Sequence, residues 1–218
     1  MVSSPLTARK NARLVLWAIA LICCAIEAVL QAADLGVIGS TRWRQLAWQY
    51  GAFWAGLLHD WQPNYAAQPI AMFLSYSVLH SGFWHLAGNM AALAGLGSPL
   101  LARGIGARSL LGLWLLSAIG GGLAFGVLSA SPQPMIGASG PLFGLVGAWK
   151  ALDWRAARST GAPLWPIAFW VLILALLNLV LWAVNGGSLA WQTHLGGFAA
   201  GWAWALFHSR RRGPAPLC

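Results

Sequence analysis

Residues 14–33 read LVLWAIALICCAIEAVLQAA, twenty residues with one charge, at Glu27. A helix of that length spans about 30 Å, the thickness of the hydrocarbon core of a bilayer. Arg9, Lys10 and Arg13 precede it, so a cleaved signal peptide is the competing reading. The apolar stretch is longer than a signal core and no small-x-small site follows it, which favours a retained helix. Outward from it, five further segments read as spans: Gly82 to Leu101, Ser109 to Leu128, Ser139 or just after to Leu152, Pro163 to Val184, and Trp191 to Phe207. Composition agrees. Of 218 residues, 59% are hydrophobic and 8% charged, against about 25% charged in soluble domains. A soluble globule of this make-up could not cover itself with polar surface. The expectation is an all-α polytopic membrane protein with six transmembrane helices, residues 14–207 forming one membrane domain.

The formal charge of +9 invites a nucleic-acid reading, which its placement excludes. Arg9, Lys10 and Arg13 lie before the first span. Arg103 and Arg108 fall between the second and third, Lys150, Arg155 and Arg158 between the fourth and fifth, and Arg210, Arg211 and Arg212 after the sixth. Those are eleven of the thirteen basic residues, all on one side of a six-span arrangement. The positive-inside rule makes that side cytoplasmic, together with the basic segment 1–13 and the basic tail 208–218. Cys23, Cys24 and Cys218 show no disulfide or metal-ligand pattern, so neither a metal nor a cofactor is expected.

Residues 34–70 form the long first external connection. Trp43, Leu46, Ala47, Tyr50, Trp54, Leu57, Leu58 and Trp61 recur at helical spacing between Arg42, Arg44, Gln45 and Gln49. This predicts an amphipathic helix lying in the outer interface, with Ser40 or Thr41 as its cap and a break from Asn64 to Pro69. Glu27, inside the first span, is expected to snorkel or pair near the external end.

Three polar constellations interrupt the apolar sequence. They are His80-Ser-Gly-Phe-Trp-His85-Leu-Ala-Gly-Asn89, Gly137-Ala-Ser139-Gly140-Pro-Leu-Phe143-Gly144, and His194-Leu-Gly-Gly197-Phe-Ala-Ala-Gly201. Singly, each has a plain explanation: glycines and serine mark close helix packing, and asparagine or histidine joins helices through a hydrogen bond. Together they have complementary chemistry. Serine is a weak nucleophile until a base takes its proton, and histidine is suited to accept it. Bringing Ser139 to His194 requires two helices to nearly touch, which Gly140 and Gly144 facing Gly197 and Gly201 would allow. Ser139 follows Ser131-Pro132-Gln133-Pro134, a segment that cannot be helical throughout. Its helix therefore starts within the bilayer, where free N–H groups, with Asn89 and His85, could hold an oxyanion.

In the order and spacing of these motifs, over Leu14 to Phe207, the chain resembles the rhomboid intramembrane serine proteases. The resemblance implies a six-helix rhomboid-like bundle, Ser139 as nucleophile and His194 as general base, with no required acidic third member. It implies His85, Asn89 and the Ser139 amide as the oxyanion site, and Phe143 packed on the His194 ring. The implied substrate is a membrane protein with a transmembrane segment; the oligomeric state is left open. The chain departs from the family in one place: Gln62 to Phe73 lacks the Trp-Arg pair common before the histidine motif, and Trp43-Arg44 lies too far upstream to fill that role. Other readings are a rhombosortase-like enzyme that removes C-terminal anchors, a non-proteolytic rhomboid-like binder, and a transporter with Glu27, His80 and His85 on a proton path. A minimal six-span core with both termini cytoplasmic favours a bacterial inner membrane.

Overall fold

The computed structural model describes residues 5–210, and among them every element is helical. The eight α-helices are α1 (Pro5–Asp34), α2 (Trp43–Gly51), α3 (Gln68–Ser75), α4 (Phe83–Ala102), α5 (Ala107–Leu128), α6 (Ser139–Thr160), α7 (Trp165–Val184) and α8 (Trp191–Arg210). The molecule is a polytopic helical membrane bundle. Three of the helices, α1, α5 and α7, are long and apolar enough to cross a bilayer on composition alone. The expected second, third, fifth and sixth segments coincide with α4, α5, α7 and α8 to within a few residues. Arg211, Arg212 and Cys218 of the basic tail, and residues 1–4 of the first segment, lie outside the described residues.

The tightest packing is α6 on α8, with α5 against both. Small residues explain it. Gly120, Gly144, Gly147, Gly196, Gly197 and Gly201 all sit where a Cβ would strike the neighbouring helix. α1 and α4 pack on the flank of this trio, and Leu93, Leu100, Leu110, Leu113 and Leu145 fill the space between. α7 is peripheral, with no buried residue, and presents Phe169, Leu172, Leu176 and Val180 outward, as a lipid-facing helix does.

Two expectations are corrected. The amphipathic helix predicted through Trp61 ends at Gly51, followed by a single 3₁₀ turn at Ala55–Leu58. The cause is tertiary: Phe53 leaves the helix to exchange two backbone hydrogen bonds with Met135, 3.0 and 2.9 Å long, and its ring is fully buried among Phe73, Tyr76 and Phe125. The second is the fourth span. The segment read as a span to Leu152 lies within a longer helix: α6 continues to Thr160 and stops at Gly161, whose φ of +69° suits the left-handed helix cap. Lys150, Arg155 and Arg158 therefore belong to a helix; Arg155 donates to the Leu206 carbonyl at 3.1 Å, and the other two lie over aromatic rings. The Lys150 ammonium lies 3.9 Å from the centre of the Trp149 ring, and the Arg158 guanidinium 5.4 Å from that of Trp154.

Candidate active site

The segment before Ser139 is irregular backbone beside a membrane core, so its polar groups need partners within the protein. They find them in the external loop. Met135 pairs with Phe53, and the Gly137 amide donates to the Tyr76 carbonyl at 2.9 Å. Tyr76 is fully buried and its hydroxyl donates to the Ala118 carbonyl at 2.9 Å, so it wedges between α5 and the serine loop. Gly137 turns the chain into α6 at a φ of +121°, a conformation that disfavours any side chain. A Cβ there would also lie only 2.8 Å from His85 Nε2. Ser139 and Gly140 then open the helix, and Pro141 contributes no N–H.

Ser139, on the first turn of α6, and His194, on the first turn of α8, meet at this end of the seam. Ser139 Oγ is 2.8 Å from His194 Nε2. Their approach depends on the glycines: a Cβ on Gly197 would enter the Gly140 carbonyl, and one on Gly201 the Gly144 carbonyl. Phe143, one turn after the serine, stacks flat on the imidazole, with centroids 4.2 Å apart and planes 6° from parallel. His194 is 5% exposed, so these side chains surround most of its ring.

His85 and Asn89 share one face of α4 and border Gly137. His85 Nδ1 is 3.0 Å from Ser81 Oγ, which leaves Nε2 toward the Gly137 backbone. Asn89 is buried, and one of its amide hydrogens goes to the His85 carbonyl at 2.9 Å. The carboxamide carries a second hydrogen beside it. His80 is fully buried and meets His85 edge-on, with centroids 5.1 Å apart. Burial, and secondarily the His85 ring, hold the His80 imidazole down at about 4, so it stays neutral near pH 7.

Two partnerships could not be read from the sequence. Asn178 of α7 places its Oδ1 2.7 Å from His194 Nδ1. An isolated asparagine in an apolar helix carries no signal of its partner. The second is an ionic knot behind the histidines. Arg44 binds Glu27 through both terminal nitrogens, at 2.8 and 2.9 Å, and Asp34 through Nε at 2.6 Å. It also reaches the His80 carbonyl at 2.9 Å. Its hydrogen bond to Glu27, and then that to Asp34, hold the guanidinium above its ordinary value. The pairing expected for Glu27 is thus with Arg44, seventeen positions along the chain.

Residues 67–211 match the family model described as "Rhomboid domain". Over 156 residues the chain is 33% identical to "Rhomboid protein 1, mitochondrial" of Saccharomyces cerevisiae, covering 68% of this chain and 44% of that protein. Over 142 residues it is 29% identical to "Rhomboid-like protease 1" of Toxoplasma gondii, covering 64% and 47%. The chain spans less than half the length of these curated relatives. One of them is mitochondrial, so they lend no support to a bacterial inner membrane.

Proposed function

The chain belongs to the rhomboid family, and on that premise we propose that it is an intramembrane serine endopeptidase cutting membrane proteins in or beside a transmembrane segment through Ser139 and His194. The observation that carries this is the 2.8 Å contact between Ser139 Oγ and His194 Nε2 at the foot of a seam built from glycine. Ser139 Oγ attacks the scissile carbonyl carbon while Nε2 takes the hydroxyl proton, forming the C–O bond and an oxyanion. Asn89, His85 and the Ser139 amide stabilise that oxygen. As the C–N bond breaks, the imidazolium returns its proton to the leaving amine. Water, deprotonated by the same nitrogen, then releases the acyl group and restores the serine.

A substrate helix keeps its carbonyls hydrogen-bonded within itself and has to unwind locally to offer one to Ser139. Small or helix-weakening residues are therefore expected near the cut. For the topology, we read α1, α4, α5, α6, α7 and α8 as six spans, residues 14–207 as the membrane domain, and segments 1–13 and 208–218 as cytoplasmic flanks. α6 supports this orientation: Ser139 opens it and the basic residues lie toward its other end, about 16 Å from the serine to Lys150 at 1.5 Å per residue. The test is reconstitution with a tagged single-span substrate. Wild type cleaves it, whereas Ser139→Ala and His194→Ala do not. Cleavage by Ser139→Ala at the wild-type rate, or fluorophosphonate labelling that survives that substitution, overturns the reading.

A further inference from the structure

A neutral imidazole has two tautomers, and only one of them can serve Ser139. The nitrogen facing the hydroxyl must be bare to accept its proton, which obliges the other nitrogen to carry the hydrogen. A histidine without a partner on its far side populates both forms. In this site the far side is occupied: Nδ1 of His194 lies 2.7 Å from Oδ1 of Asn178. A carboxamide oxygen only accepts, so Nδ1 is the donor and Nε2 turns its lone pair to Ser139 Oγ at 2.8 Å.

We propose that Asn178 is a positioning residue that fixes the Nδ1–H tautomer of His194 and thereby keeps Nε2 ready as the base. The inference rests on the protease reading of the site. Its surroundings favour this role over a simple tie between helices. Asn178 borders a cavity of about 260 Å³ between α7, α6 and α8, whose walls include Phe143, Val171, Leu195 and Phe198. In such a wall, a polar group aimed at one ring nitrogen acts on that ring. Hydrogen bonds between membrane helices add little to helix association, whereas the wrong tautomer at a serine-activating histidine is severely damaging to turnover. The imidazole is thus held at three points: Ser139 at one nitrogen, Asn178 at the other and Phe143 across its face. Because Asn178 comes from α7, the least enclosed helix, its support rests on an element that touches the others only lightly.

Nitrogen-15 spectroscopy of full-length protein with labelled histidine reads the tautomer without substrate, His194→Ala assigning the signal. The expected wild-type spectrum has Nδ1 protonated and Nε2 bare, and Asn178→Leu populates the opposite form. In the reconstituted assay, Asn178→Leu loses about 10–100-fold in kcat with KM within about twofold. Asn178→Asp, which keeps an acceptor oxygen in place, regains most of the rate. A wild-type signal with the hydrogen on Nε2, an unchanged kcat in Asn178→Leu, or a rise confined to KM overturns the proposal. Cleavage that survives Ser139→Ala sinks the protease reading instead, and the wild-type spectrum still decides the tautomer.

Discussion

Two polar clusters lie side by side in this bundle and are built on opposite principles. Around Ser139 the partners are a hydroxyl, an imidazole and a carboxamide, and each contact is a single neutral hydrogen bond. Around Arg44 the partners are two carboxylates and a carbonyl, bound through several guanidinium donors at once. His80 is the boundary between them, its carbonyl held by Arg44 and its ring against His85. On the protease reading proposed above, the difference separates reactivity from anchorage. A neutral cluster leaves a hydroxyl that can still lose its proton and adds little to stability. An ionic knot satisfies its charges so fully that no chemistry remains, and removing one member strands the others.

The contrast is tested most strongly at its extremes. Ser139→Ala should lower cleavage on the order of 10⁴-fold or more while moving the unfolding free energy by no more than about 0.5 kcal/mol, measured by turnover and denaturant titration of one preparation. Arg44→Ala should do the reverse. It strands Glu27, which is 3% exposed, and costs about 3–5 kcal/mol of stability; replacing Arg44 and Glu27 together by methionine and leucine should recover part of that loss. A normal unfolding midpoint in Arg44→Ala would erase the distinction.

Smaller effects sharpen it. Asn89→Ala should reduce kcat by about 10²–10³-fold, as loss of one oxyanion donor does, with binding of a substrate segment little changed. Gly197→Ala presses a methyl group into the Gly140 carbonyl and should cost about 1–3 kcal/mol of stability together with a loss of rate, since the same contact sets the Ser139–His194 distance. Arg103→Ala breaks an ion pair with Asp153 whose side chains are 33% and 25% exposed. The expected change is within about 0.2–1 kcal/mol, which would show that an ionic contact anchors strongly only where it is buried.

The sequence disclosed the site's two ends better than its surroundings. His85, Asn89, Ser139 and His194 announce themselves because polar residues are costly in apolar helices and these recur in chemically matched groups. The long helices are legible from hydropathy and from basic residues at alternate ends. Asn178 was illegible: it sits sixteen positions before His194 on a different helix, and no periodicity links the two. The break after Gly51 was hidden for the same reason, because the helical pattern of residues 43–61 is real and Phe53 departs from it only to pair with Met135, far along the chain. Arg44 and Glu27 were both visible as charges, yet their pairing depends on how α2 folds back over the end of α1.

The glycine seam between α6 and α8 has a consequence for how the chain tolerates change in length. Where backbone meets backbone, Gly197 on Gly140 and Gly201 on Gly144, no rotamer can adjust, and the position of the imidazole is governed by the phase of α8 about its own axis. One residue inserted between His194 and Gly197 would turn the histidine by about 100° relative to the glycines, carrying it away from Ser139 while leaving the seam itself intact. Loops around this bundle can lengthen at little cost, but along those few residues of α8 the spacing is counted in whole turns.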